Sequence, residues 1–256
     1  MPEARSDCVA ALHDLLVGAE MLCLGLTEEQ RAQFIGYCRI LSETNAKFNL
    51  TGVRSAEGIM RTLFLDSLSL ASALPAVLTS PGALAAPRVV DVGAGAGVPG
   101  LALKIVYPHW TLALIESLGK KARFLEMAVR HLQLVDVTVL AERAEEVARS
   151  EPWRDGADLC LARAVAPLPT LIELCAPLVR ERGWLMLPKS GDLDKEVRTA
   201  SKAMPLLRVE LERIVPVPED LGLGETRAIV VCRKTGPTPP AFPRRVGLAQ
   251  SRPIHA

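Results

Sequence analysis

No run of about 18 or more uncharged apolar residues occurs in this 256-residue chain, so no membrane span is expected, although 49% of its residues are hydrophobic. The opening "MPEARSDCVAALHDLLVGAE" carries acids early and lacks an uninterrupted apolar core; it does not read as a secretory signal. The six cysteines (Cys8, Cys23, Cys38, Cys160, Cys175, Cys232) form no C-x-x-C pair and have no histidine at ligand spacing, so no metal site is expected. Cysteines of this kind fit buried thiols in a reducing cytosol, and the protein is expected to be cytoplasmic. His13, His109, His131 and His255 are scattered, without evident orienting partners, and none reads as a general base. No internal repeat is visible.

Charge is nearly balanced overall, at +1, but unevenly placed. Residues 180–256 hold 14 Lys/Arg against 9 Asp/Glu, while residues 1–179 hold 16 against 20. From Arg233 onward, "RKTGPTPPAFPRRVGLAQSRPIHA" has five basic residues and no acid. Such a tail reads as a solvated extension or, more sharply, as a nucleic-acid contact.

Three parts are expected: an N-terminal helical cap over 1–80, an α/β domain over 81–235, and a basic, proline-containing tail over 236–256. Thr27-x-x-Gln30 is a capping-box pattern ahead of "RAQFIGYCRILSETNAKF". "SAEGIMRTLFLDSLSLASAL" is a further apolar-periodic helix that Pro75 ends, and "PAVLTSPGALAAP" is the candidate boundary. From Arg88, the strand-like runs "RVVDVG", "WTLALIES", "DVTVLA", "ADLCLARA" and "GWLMLPK" alternate with helical patterns, among them "PTLIELCAPLVRE". That alternation predicts right-handed βαβ units and a mostly parallel sheet. "LLRVELERIVPV" and "TRAIVVCRK" predict a closing antiparallel pair.

The stretch "VVDVGAGAGVPG" permits two glycine registers. Gly95-x-Gly97-x-x-Gly100 satisfies the dinucleotide pattern, but there the first glycine should close the strand, and here Gly93 does so. The other register, Asp91-x-Gly93-x-Gly95-x-Gly97, resembles the first motif of class I S-adenosylmethionine-dependent methyltransferases. In those enzymes the glycines pass beneath the methionine and ribose parts. Glu116 ends the next strand, where an acid accepts ribose hydroxyls; it signals a nucleoside without choosing which. Ala144-Glu145 follows the third strand, where the adenine would lie.

Methyltransferases acting on exocyclic amines commonly carry an Asp/Asn/Ser-Pro-Pro-aromatic motif after the fourth strand; here that place reads "ARAVAPLP". Pyrimidine C5 methylation by its commonest route needs a nucleophilic thiol, and Cys160, mid-strand, reads as core.

Seven stretches, "NLTGVRSAEGIMRTLFLDSLSL", "DVGAGAGVPG", "IESLGKKARFL", "RAEE", "ARAVAPLPTL", "LPKSG" and "FPRRVG", fall in an order that resembles one family across about 30–253. It is the bacterial ribosomal small-subunit methyltransferase G family, also called glucose-inhibited division protein B, which methylates guanine N7 in 16S rRNA. The resemblance implies a Rossmann-like fold with an N-terminal helical extension and S-adenosylmethionine as cofactor. It implies a target in the 530 loop, and 16S rRNA or a small-subunit assembly intermediate as partner. It places cofactor contacts on Gly93, Val98, Ala144, Glu145 and Arg163. Two positions depart from the family: Leu63 stands where a histidine is usual, and Pro188 precedes Lys189, so the fifth strand's end is expected to bend. Arg163 and Lys189, at strand ends on the carboxyl edge, are candidates to orient RNA or base, or else ion pairs closing those ends. Lys120, Lys121, Arg123, Arg244 and Arg245 are further candidate RNA contacts.

Other readings are a small-molecule methyltransferase of the same fold, an NAD-dependent oxidoreductase on the shifted glycine register, and a non-catalytic RNA-binding module.

Overall fold

A computed structural model describes residues 2–80, 86–163, 166–224 and 227–254. Residues 81–85 of the candidate boundary and the tail's His255 lie outside that range. The strands are β1 (Arg88–Val92), β2 (Thr111–Ile115), β3 (Val137–Leu140), β4 (Ala157–Leu161), β5 (Val179–Ser190), β6 (Val209–Pro216) and β7 (Arg227–Lys234). They form one sheet in the order β3-β2-β1-β4-β5-β7-β6. β1 to β5 run parallel, and β7 is inserted antiparallel between β5 and β6. The chain leaves β1 toward β2 and returns on its other side as β4. That reversal opens a crevice beyond the carboxyl ends of β1 and β4, where open α/β sheets take ligands.

Two-residue alternation along each strand divides the core. Val89, Leu112, Leu114, Leu159 and Leu161 face one layer, with the N-terminal helices and the helices Gly100–Val106 and Gly119–His131. Val90, Val92, Ala113, Ile115 and Cys160 face the other, with the helices Leu168–Cys175 and Leu193–Ala200. The N-terminal helices therefore share a core with the sheet. Their own positions follow local rules. The helix Glu28–Asn45 begins on the expected capping box, with Gln30 N donating to Thr27 Oγ1 (3.2 Å) and Thr27 N to Gln30 Oε1 (2.9 Å). Gln30 Nε2 also donates to Ile105 O (2.9 Å), tying that helix to the end of Gly100–Val106.

Two expectations are revised, and the position of Pro188 is accounted for. The helix expected over "PTLIELCAPLVRE" stops at Cys175, and the chain becomes β5 from Val179, because Pro177 follows and Val179 pairs with Ala157 of β4. Pro188 does not break the strand: pairing with β7 runs in register through Pro188↔Ile229 to Ser190↔Arg227. β4 pairs β5 only as far as Met186, so the proline lies where its strand has one neighbour, the condition that tolerates a missing N–H. The tail, finally, is no solvated extension. Arg154 donates to the carbonyls of Thr238 (3.0 Å) and Phe242 (2.9 Å), and Arg149 to that of Pro243 (2.5 Å). Buried Lys234 pairs with Asp155 at 2.8 Å, and Asp155 also accepts from Thr238. The tail's apolar residues Phe242, Ala249 and Ile254 complete the second layer.

Candidate functional site

Past β1 the chain turns through Gly93, Gly95 and Gly97 at φ +70°, +56° and +88°, a left-handed series in which side chains are strained. Gly93 N (2.9 Å) and Ala94 N (3.1 Å) donate to Ile115 O, which holds the turn against the end of β2. Glu116 closes the clasp: its carboxylate accepts from Gly95 N (3.0 Å) and Leu118 N (2.8 Å). A Cβ on Gly95 would meet only Gly93 O at 3.7 Å and Lys121 Nζ at 4.0 Å, so it would stand in the open space above the turn.

That space is a cavity of about 460 Å³ lined by Gly93, Gly95, Val98, Glu116, Lys121 and Arg163, among others. A small recess of about 70 Å³ adjoins it, bounded by Gly93, Glu116, Ala144 and Glu145. A third cavity of about 410 Å³ lies beyond Arg163, between Asp66, Lys189, Glu196 and Arg227. Leu63 and Arg163 border both large cavities and form the wall between them.

Asp91 and Gly97, expected at the cofactor, instead support the turn from beneath. Asp91 is buried in β1, and its Oδ2 accepts from Gly100 N (2.8 Å), pinning the next helix to the strand. Its Oδ1 has no partner among the described residues. Burial raises the Asp91 carboxyl to about 7; the Gly100 N–H and Arg163 pull it down, and Glu116 pushes it up. The folded state thus keeps this proton to about pH 7, while the unfolded chain releases it near 3.8. Asp91 therefore contributes stability in full below pH 3.8, and the contribution is lost as pH rises to about 7, a difference on the order of 4 kcal/mol. Denaturation of Asp91→Asn and the parent, pH by pH, should show the difference moving in the variant's favour up to about pH 7 and flat above. Parallel curves would place the Asp91 carboxyl outside that titration.

Sequence reasoning missed Tyr37, a fully buried residue of the helix Glu28–Asn45 whose hydroxyl donates to Ala96 O (2.5 Å). A Cβ on Gly97 would collide with that hydroxyl and with the Leu101 side chain. Burial, with the nearby Asp91 charge, pushes the Tyr37 phenol up, keeping it a neutral donor. The only sequence signal was a tyrosine on the apolar face of a helix.

Arg163 extends from the end of β4 to the helical stretch that is α over Ala56–Gly58, π over Ile59–Leu65 and α over Asp66–Leu68. Its Nη1 donates to Asp66 Oδ2 (2.7 Å), Leu63 O (3.3 Å) and Ser67 Oγ (3.3 Å). Arg227 Nη1 takes the other oxygen of Asp66 at 2.8 Å. Arg163, in the wall between the cavities, is thus anchored by a buried carboxylate that Arg227 also grips. Lys189 donates to Ala166 O (2.8 Å) and pairs with Glu196 at 3.1 Å.

Lys120 and Arg123 are exposed on the helix Gly119–His131, next to Lys121 at the first cavity. Arg244 does not face solvent chemistry: it forks onto buried Glu173 at 2.6 and 2.5 Å and donates to Arg252 O. Its neighbour Arg245 is exposed. The tail reaches the site by another route. Gly247 N donates to Glu145 Oε1 (2.8 Å), and Gln250 lines both the 460 Å³ cavity and the recess. Of the described histidines, none borders these cavities, and Cys160 is fully buried with burial pushing its thiol up.

The sheet order, the glycine turn after β1 and the acid closing β2 define a class I S-adenosylmethionine-dependent methyltransferase. Residues 30–221 match the model of the family described as rRNA small subunit methyltransferase G. The chain is 42% identical to the ribosomal RNA small subunit methyltransferase G of Roseiflexus sp. (strain RS-1), over 94% of this chain and 99% of that one. It is 40% identical to its counterpart from Chloroflexus aggregans, over 90% and 92%. The chain belongs to the rRNA small subunit methyltransferase G family. Among the described residues, no helix is long and apolar enough to cross a membrane.

Proposed function

We propose that this enzyme methylates N7 of a guanine in 16S rRNA, in the 530 loop, acting in the cytoplasm on the rRNA or on a small-subunit assembly intermediate. The observation that carries the reading is the pair of large cavities meeting at Arg163, one above the glycine turn and one beyond the end of β4. The first suits S-adenosylmethionine. Gly95 leaves open the space a Cβ would fill, and Glu116, which lines the same cavity, would accept from the ribose hydroxyls with its remaining lone pairs. Ala144 and Glu145 border a recess for the adenine edge, with Gln250 over it. When bound, the cofactor supplies an electrophilic methyl group on a sulfonium.

The second cavity then takes the target base. Guanine N7 carries an in-plane lone pair that is unprotonated at neutral pH, so no proton must be removed before it reacts. The chain's task reduces to holding the base in line with the methyl group, which is worth roughly 7–11 kcal/mol of barrier. Arg163, held through Nη1 by Asp66, Leu63 and Ser67, lines both cavities and so stands between cofactor and base. Lys189 and Arg227 line the base's side, each paired there with a carboxylate, Glu196 and Asp66, and offer their remaining N–H donors to the RNA.

The test is methyl transfer from labelled S-adenosylmethionine to 16S rRNA, read by nucleoside mass analysis, with 7-deazaguanine at the target in a parallel substrate. Transfer should appear as 7-methylguanosine and vanish with the deaza base. RNA binding should weaken by only about 1 kcal/mol, for one lost acceptor. Methyl incorporation into the deaza substrate would overturn the N7 assignment.

A further inference from the structure

Large aromatic side chains are scarce in this chain and almost all are interior; among the described residues Phe48 is the one strongly exposed, at 49%. Its exposure is built in. Beyond the helix Glu28–Asn45, buried Asn45 folds the following loop back: its Oδ1 accepts from Leu50 N (2.9 Å) and Thr51 N (3.0 Å), and its Nδ2 donates to Val53 O (2.8 Å). Phe48 N donates to Thr44 O (2.9 Å) and Leu50 N to Phe48 O (2.8 Å). Leu50 is thereby turned inward while Phe48 is held out.

The loop that carries the ring forms part of the cavity's rim, since Leu50 and Thr51, two and three residues later, line the 460 Å³ cavity. On the facing element Lys120 Nζ lies over one face of the ring, 5.7 Å from its centroid, beside Lys121 and the exposed Leu118, which line the cavity. Lys47 and Arg123 are exposed close by in sequence. Among the described residues, none of Lys47, Lys120, Lys121 and Arg123 forms an ion pair.

We infer that this rim is a single-stranded RNA platform: a base flanking the methylated guanine stacks on Phe48, and Lys120 and Lys121 hold the adjoining phosphates. An aromatic face with unpaired lysines is the chemistry that binds unpaired nucleotides, because each base offers a π-face and each linkage a charge. A protein partner seeking only apolar contact would find one ring and one leucine set among cations. The platform rests on the reading of the acceptor as RNA, and it adds residues on the cofactor cavity's outer rim, away from the cavity bounded by Lys189 and Arg227.

The test measures binding of a uridine-rich single-stranded oligoribonucleotide with a central guanine, and of the same strand in a duplex, to the full-length protein. Phe48→Ala should weaken the single strand by about five- to a hundredfold. Phe48→Leu, which keeps the apolar bulk but loses the π-face, should weaken it similarly, and Phe48→Trp should stay within about twofold. Lys120→Ala should flatten the log–log salt dependence by about 0.7. The duplex should be affected far less, and S-adenosylmethionine affinity and melting temperature should hold. Parental binding by Phe48→Ala, or binding by Phe48→Leu equal to that of Phe48→Trp, would overturn the platform. If the parent methylates rRNA while Phe48→Ala leaves the KM for RNA unchanged, the platform alone falls. If the parent binds and methylates no RNA, the RNA reading itself falls.

Discussion

Asp66→Ala should cost this protein about 3–5 kcal/mol of stability, the toll of removing one partner from a buried ion pair and leaving the other charge behind. Asp66 is 6% exposed and holds Arg163 at 2.7 Å and Arg227 at 2.8 Å, with the Arg163 side chain 12% exposed. Arg227, about a third exposed, can recover water, so most of the effect falls on Arg163. Freed of its anchor, the Arg163 guanidinium no longer forms the wall between the cavities. Methyl transfer at saturating cofactor should then drop by about a hundredfold, the scale of an ångström-sized misplacement. Asp66→Asn keeps the shape and one acceptor and should lie between alanine and the parent. Urea denaturation and single-turnover transfer check both halves. Stability within about 1 kcal/mol of the parent would show that the two arginines do not depend on Asp66.

Gly97→Ala should be as damaging, for a steric reason. The residue sits at φ +88°, and an added Cβ collides with the Tyr37 hydroxyl and the Leu101 side chain. Left-handed strain and overpacking together cost about 2–5 kcal/mol, and the turn beneath the 460 Å³ cavity should shift with them. Calorimetric S-adenosylmethionine binding should therefore weaken along with thermal stability. Tyr37→Phe provides the control. Alone it strands the Ala96 carbonyl, at about 1–3 kcal/mol, but in the Gly97→Ala background it also removes one of the two colliding atoms. The double variant should be more stable than the sum of the singles predicts, and strict additivity would mean that the collision is relieved elsewhere.

Much of the architecture was legible from local signals. The short apolar runs "RVVDVG" and "WTLALIES" became β1 and β2, and the Thr27–Gln30 capping box began its helix. The spacing of Gly93, Gly95 and Gly97 placed three left-handed residues in one turn. Gly93, Gly95, Val98, Glu116, Ala144, Glu145 and Arg163 border the cavities, whereas Asp91 and Gly97 lie beneath the turn. That distinction was invisible in the spacing, because it depends on what the fold packs beneath the turn: Gly100 N against Asp91, and Tyr37 and Leu101 against Gly97. The tail misled for a similar reason. A count of basic residues cannot tell Arg244, paired with a buried glutamate, from exposed Arg245.

By itself the sequence determined the succession of strands and helices, the glycine turn and the family, since each of these is written in contiguous residues whose backbone preferences and periodicity act locally. Only the tertiary structure decided that Asp66 grips Arg163 and Arg227, 97 and 161 positions away, that Tyr37 underlies the glycine turn, and that Gln250 returns to the cavity above that turn. The physical reason is that a charge or hydroxyl has no preferred distant partner until the sheet order and the register of each strand bring one within a few ångströms and exclude the water that would otherwise satisfy it.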